Sequence, residues 1–295
     1  MRSTKPMMKE IMRKCLPENF CKAMKKKHSW GTFSLAIIVL MFLCVALVFP
    51  KKPLLYKIRT VVIDPGHGGH DPGTIHPTKK IQEKDIVLPV ALELGATIKK
   101  YMPEVNVVYT RTTDTFVELY KRAEIANRSN ADVFISLHCN AMDTKKDKKK
   151  AEVKGLEVFV MGPHANQENL EVAKRENAVI LLEDNYKKNY GGFDPNSPQA
   201  HIIMTSIQNN YLENSLHLAT LIDKQFSERL HRPTRGIKQA GFVVLRRVAC
   251  TSILVELGYV TNDEEVEYMT DTWNQTLMAS AIYRAFRDFK NEVEK

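Results

Sequence analysis

Between residues 57 and 291, short β-branched runs alternate with stretches whose apolar residues recur at helical spacing. Val61-Val62-Ile63 reads as a buried strand, and Asp64-Pro65-Gly66 stops it, because proline removes a ladder donor and glycine accepts positive φ. Val87, Leu88, Ala91, Leu94 and Ile98 predict a helix. Pro89 fits only near a first turn, which places the start at about Asp85 and leaves Glu83 just ahead of it. A strand over Val105–Tyr109, a loop over Thr110–Asp114 and a helix over Val117–Asn127 follow. The run from Ala131 to Ala141 is a second buried strand with His138 near its end, and Leu156–Met161 is another. Residues 164–190 read as one helix ended by Gly191-Gly192, and about Gln199–Leu230 as a second. Val243-Val244-Leu245 and Thr251–Leu257 are expected strands. Thr261/Glu264 and Thr272/Gln275 have the spacing of capping boxes that open the last two helices. Strand–helix alternation of this kind predicts a single α/β domain over 57–291, a mixed twisted sheet flanked by helices, with residues 164–230 as a helical insertion.

The N-terminus follows a different pattern. Phe33–Phe49 is almost continuously apolar and would span roughly 25 Å as a helix. Lys25-Lys26-Lys27 precede it and Lys51-Lys52 follow, the layout of an export signal, cleaved or kept as an anchor in the inner membrane. Residues 33–50 are therefore read as signal peptide or anchor helix, and 1–32 as a basic leader. The rest of the chain is expected in the periplasm or cell envelope. Composition, 44% hydrophobic and 26% charged over 295 residues, suits one sizeable core. The net charge of +9 is concentrated: residues 1–32 hold nine Lys/Arg against Glu10 and Glu18. The basic excess is thus a flank and not a nucleic-acid surface. Of five cysteines only Cys139 and Cys250 fall in the folded part, without paired spacing, so no disulfide framework is expected.

The chemistry gathers at strand ends. His67 follows the first strand within Gly66-His67-Gly68-Gly69, at the sheet edge where open α/β folds bind ligands. His138 ends a second strand in the same manner. Glu83, at a helix entry, is either a capping carboxylate or a ligand. Together they make a His-Glu-His zinc site that leaves a fourth position for water. Glu256 lies within an apolar strand, where a carboxylate is costly unless paired or near a metal. Its burial would raise its pKa and suit it to proton relay. None of the nine histidines has glutamate three residues later, and His-Glu-x-x-His is absent, which argues against a zinc carboxypeptidase. A non-catalytic binding scaffold would be expected to lack one of these four groups, and all are present.

Five blocks in order carry a resemblance: Ile63–Gly69, Glu83-Lys84-Asp85, Thr110–Asp114, Ser136–Ala141 and Val255–Asn262. They resemble the zinc-dependent N-acetylmuramoyl-L-alanine amidases, the family-3 type of cell-wall amidase, over about Ile58–Phe289. The resemblance implies that His67, Glu83 and His138 bind zinc and that Glu256 is the general base. It implies hydrolysis of the amide joining N-acetylmuramic acid to L-alanine in peptidoglycan. Arg111 and Asn140, inside the blocks, are candidates for substrate contact or loop bracing. Cys139, where a small apolar residue is expected, reads as a buried spectator, and His70 as an exposed turn residue. The helical insertion resembles that of Gram-negative division amidases, in which a helix covers the active site until a LytM-type activator displaces it. Glu176 and Glu183 share a helix face with Val172, Val179 and Ile180. That face is expected to plug the groove with Glu176 in zinc's open position, Glu183 being the second choice.

Overall fold

Six strands form the sheet, in the order β2-β1-β3-β6-β4-β5. The computed structural model describes residues 57–143, 148–205 and 210–295, so the basic leader and the apolar run 33–50 lie outside the described residues. No helix among the described residues is long and apolar enough to cross a membrane. In chain order, β1 is Thr60–Pro65, α1 Glu83–Tyr101, β2 Asn106–Tyr109, α2 Leu119–Arg128, β3 Val133–Asn140 and β4 Leu156–Met161. Then come α3 Gln167–Asn177, α4 Tyr186–Asn189, α5 Pro198–Thr205, α6 Leu212–Lys224, β5 Thr234–Ala240, α7 Val243–Arg246, β6 Thr251–Tyr259, α8 Asp263–Thr270 and α9 Thr272–Val293. β1 pairs in parallel with β2 and β3, and β3 with β6. β4 runs antiparallel to β6 and parallel to β5, which makes the sheet mixed.

Alternation along the strands sorts side chains onto two faces. Val61, Ile63, Ile135, Leu137, Cys139, Val255 and Leu257 pack with α1, α6 and α9 in one core. Val62, Phe134, Phe159 and Leu254 point the other way, into a second core with α2, α3 and α7. The same alternation puts His138, between Leu137 and Cys139, on the second face. Cys139 is therefore buried away from His138, with its Sγ 3.9 Å from the Met269 sulfur.

Several boundaries differ from expectation for identifiable reasons. Helix α1 begins at Glu83, two residues early, and Pro89 lies inside it on the exposed side, where water can serve the carbonyl left without a donor. Val243–Leu245 is a helical turn and not a strand; a short apolar run does not reveal its period. The Val243 amide is caught by Asn177 Oδ1 at 2.8 Å. Strand β5, Thr-Arg-Gly-Ile-Lys-Gln-Ala, escapes sequence reading because it is a half-exposed edge, broken opposite Glu157 by a register shift. The helix expected over 164–190 ends at Asn177, continues as a 3₁₀ turn over Ala178–Leu182, and resumes only as α4. The helix expected over 199–230 is α5 and α6, the latter running into a π turn over Gln225–Arg229. The caps of the last two helices are Asn262 and Asp271, whose side chains accept from the Glu265 and Asn274 amides at 3.0 and 2.9 Å. The expected threonines stand one residue away from these caps.

Candidate active site

The turn after β1 is held from beneath by two arginines. Asp64, fully buried, accepts from Thr110 Oγ1 (2.6 Å), Ser136 Oγ (2.6 Å) and the Arg122 guanidinium (2.8 Å). Burial pushes the Asp64 carboxyl up, but Arg122 and the two hydroxyls outweigh it and hold it below the ordinary range. Arg122 also donates to the Pro65 and His67 carbonyls, both at 2.8 Å. Arg111 donates to Pro65 O at 3.0 Å, Gly66 O at 2.7 Å and Thr113 O at 3.1 Å. These bonds tie Arg111 to carbonyls of the turn and of its own loop. So clamped, His67 adopts a left-handed φ of 58°, a conformation a non-glycine residue keeps only when its surroundings enforce it. Gly66 is required for a different reason: a Cβ there would lie 2.5 Å from the His138 ring.

His67, Glu83, His138 and Glu176 converge, all buried, with one ligand atom from each lying within 4.8 Å of the others. Asp71 takes the far side of His67, its Oδ2 2.7 Å from Nδ1, and leaves Nε2 facing the cluster. Glu83 Oε2 accepts from the Thr74 amide at 2.9 Å and Oε1 from the Cys139 amide at 2.8 Å, which fixes the carboxylate plane. Glu83 Oε1 stands 3.1 Å from His67 Nε2 and 3.2 Å from His138 Nδ1. Glu176 Oε2 stands 3.4 Å and 2.9 Å from the same two nitrogens. Despite those distances His67 Nε2, His138 Nδ1 and Glu176 Oε2 have no hydrogen-bond partner among the described residues. Buried polar atoms are rarely left so. Atoms this close that do not bond one another can instead share a metal ion.

Electrostatics point the same way. Burial pushes the imidazoles down, but the carboxylates around them outweigh it, raising His67 well above 6.5 and His138 to about 9. Burial likewise pushes Glu83 up, yet the histidines bring it to about 2. Glu176 is held well below the ordinary carboxylate range, chiefly by His138 against its own burial. Two ionised carboxylates in a closed space demand positive charge, which protons or a metal ion can provide.

Glu256 lies beside this cluster, register-paired with His138 and fully buried. Burial, reinforced by the negative Glu176, pushes its pKa well above the ordinary value, and Arg175 only partly opposes this. Neither carboxylate oxygen has a hydrogen-bond partner among the described residues, and Arg175 approaches Oε1 at 3.7 Å. Arg175 also reaches Glu176 (3.0 Å), Asn140 Oδ1 (2.9 Å) and the Ala141 carbonyl (3.1 Å). Asn140 thus holds Arg175 on one side and donates to Glu157 at 2.8 Å on the other. Glu183, the second choice for the plug, lies elsewhere: it accepts from the Leu119 amide at 2.7 Å, at the start of α2, and from Tyr190 Oη at 2.6 Å. His70 is exposed and stacks 4.1 Å from the Phe116 ring, outside the cluster.

Sequence reading did not anticipate Asp71, Arg122 or Arg175 as parts of the site. Asp71 had a signal, four residues after His67 in a turn closed by Gly68–Asp71 bridging. The two arginines had none, since each acts across a long sequence separation.

Comparison with known proteins identifies the family. The family described as N-acetylmuramoyl-L-alanine amidase matches residues 61–288. The chain is 32% identical over 251 residues to the N-acetylmuramoyl-L-alanine amidase AmiA of Salmonella typhimurium, covering 82% of this chain and 81% of that one. It is 31% identical to AmiA of Escherichia coli over the same shares of the two chains. Among solved structures, the N-acetylmuramoyl-L-alanine amidase of Clostridium difficile superposes with a TM-score of 0.59 at 26% identity, over 80% of this chain and 98% of that chain. AmiC2 of Nostoc punctiforme gives 0.53 at 29% identity, over 78% and 96%. The chain therefore belongs to the family-3 N-acetylmuramoyl-L-alanine amidases, enzymes that hydrolyse an amide bond of peptidoglycan.

Proposed function

We propose that the chain is a zinc amidase held shut by its own helix α3. His67, Glu83 and His138 are the zinc ligands, Glu256 is the general base, and Glu176 occupies the remaining position until α3 is displaced. The carrying observation is the set of buried donor atoms that approach to between 2.9 and 3.4 Å and are left without hydrogen-bond partners. Buried nitrogen and oxygen donors gathered at such spacings are a set that zinc would accept as ligands. A zinc ion held by these residues would supply Lewis-acid polarisation of the scissile carbonyl and activation of water at neutral pH.

The chain's own residues do the rest. Asp71 fixes the tautomer that presents His67 Nε2. Glu256 takes the proton of the attacking water and delivers it to the leaving amine nitrogen of L-alanine. Its raised pKa, caused first by burial, strengthens it as the acceptor of that proton. In the closed form Arg175 sits against this base and Glu176 against the ligands, so substrate has to displace both.

Export through residues 33–50 rests on their apolar run and its flanking lysines, whereas a part in daughter-cell separation and release by a LytM-type activator rest on the resemblance stated above. The test is metal content with activity. Full-length protein should carry one zinc per chain and, once α3 is released, liberate soluble peptide from purified sacculi. A chelator should abolish that release and added zinc restore it; release that ignores the chelator would defeat the assignment.

A further inference from the structure

Register lines up a row of functional side chains across the sheet. His138 on β3 pairs with Glu256 on β6, and Glu256 with Glu157 on β4, so all three project from one face. At the end of the row, on edge strand β5, stand Arg235 and Lys238. Glu157 is fully buried and receives Arg235 Nε at 2.6 Å, Lys238 Nζ at 2.7 Å, Tyr259 Oη at 2.7 Å and Asn140 Nδ2 at 2.8 Å. One carboxylate thus faces two cations. The second is Glu168, in the first turn of α3, with Oε1 2.8 Å from the other arm of Arg235 and 4.0 Å from Lys238 Nζ.

Glu157 is part of the sheet, whereas Glu168 belongs to the segment that carries Glu176. With α3 seated, the two cations and two carboxylates are neutral together. When α3 leaves, Glu168 goes with it, and one positive charge with a free guanidinium edge is left beside the cleft. We propose that Arg235 and Lys238 form a binding site for a carboxylate of the stem peptide, and that Glu168 fills it in the closed enzyme as Glu176 fills the metal centre. The proposal rests on the amidase reading, and it supplies a substrate preference that the ligands and base alone do not.

Spacing limits which carboxylate. Two strand separations of about 4.8 Å divide Glu256 from β5, roughly 10 Å. An extended peptide covers that in about three residues at 3.3–3.6 Å each. The group recognised is therefore the α-carboxylate of a D-glutamate at stem position 2 or the free carboxylate of a diamino diacid at position 3. Arginine suits it because its planar fork grips a carboxylate by two parallel bonds.

The experiment uses full-length Glu176→Ala protein, which lacks the carboxylate facing the metal centre and in which α3 opens more often. Substrates are N-acetylmuramoyl tripeptides with the position-2 carboxyl free or amidated, crossed with position-3 diaminopimelate free or amidated. Arg235→Gln should raise KM about tenfold for substrates that keep the contacted carboxylate and leave kcat unchanged. It should leave KM unaltered for those in which that carboxylate is amidated, which names the position. Arg235→Lys should recover part of the loss. An equal rise for every substrate would mean that Arg235 only supports Glu157, and no rise would mean no site; either overturns the proposal. Calorimetry supplies a readout without turnover. Glu168→Ala, which leaves Glu157 and both cations in place, should tighten binding of the free L-alanyl-D-glutamyl-diaminopimelate tripeptide about tenfold, and an unchanged Kd refutes the masking. Failure of the Glu176→Ala protein to hydrolyse any of the four substrates would count against the amidase reading instead, and the tripeptide titration would still decide this one.

Discussion

Replacing Glu176 by alanine should turn the enzyme on without an activator. The carboxylate is only 4% exposed and contacts both imidazoles and the Arg175 guanidinium. Removing one partner from a buried set of opposite charges costs about 3–5 kcal/mol. Taking about 3 kcal/mol as the net loss, the ratio of closed to open protein falls roughly a hundredfold, since about 1.4 kcal/mol is a factor of ten. The rest of α3 stays anchored. Val172, Val179 and Ile180 remain buried, each worth about 1.5–3 kcal/mol, and Asn177 keeps its bonds to Gly241 and Val243. Basal hydrolysis should therefore rise about a hundredfold and still fall short of full release. The assay is initial-rate release of soluble fragments from labelled sacculi with no activator present. Zinc stoichiometry is measured on the same samples, because the substitution also removes a donor from the centre. A basal rate within about twofold of the parent, at equal zinc content, would refute the plug.

Three further outcomes follow from the same geometry. Glu256→Gln keeps the shape of the side chain and removes the base, so activity should drop by about 10²–10⁴ with zinc content unchanged; parallel loss of zinc would show a structural role instead. Asp71→Asn should weaken zinc binding about 10–100-fold through loss of the carboxylate on His67 Nδ1, measured by competition with a coloured chelator, and unchanged affinity would count against the tautomer argument. Asp64→Asn breaks the buried pair with Arg122 and should cost about 3–5 kcal/mol in urea unfolding at pH 7. The folded pKa of Asp64 lies below its unfolded value, so its contribution is complete above about pH 4 and fades as pH falls through the folded pKa. The gap between parent and Asp64→Asn should accordingly narrow in acid, and a gap that widens there would reverse the assignment.

Legibility in the sequence tracked the range of the interaction. β1, β3 and β6 announce themselves because buried parallel strands are continuous apolar runs, and β1 and β3 run out at a histidine. β5 did not, because an edge strand facing solvent carries arginine, lysine and glutamine in no strict alternation. The break after α3 was equally hidden. Nothing local ends a helix at Asn177; its side chain does so by bonding Gly241 and Val243, more than sixty residues later.

Local chemistry therefore determined which groups this chain offers: two histidines and two glutamates placed by strand ends and a helix entry, and an apolar leader before them. Their convergence, the placement of Glu176 and not Glu183 beside the imidazoles, and the arginines that clamp the turn and sit against Glu256 were decided only when the sheet closed. The physical reason is that burial and charge pairing act through space. A carboxylate seven residues from its rival on the same helical stripe is equivalent to it in sequence, until a kink turns one toward the imidazoles and the other toward the amide of Leu119.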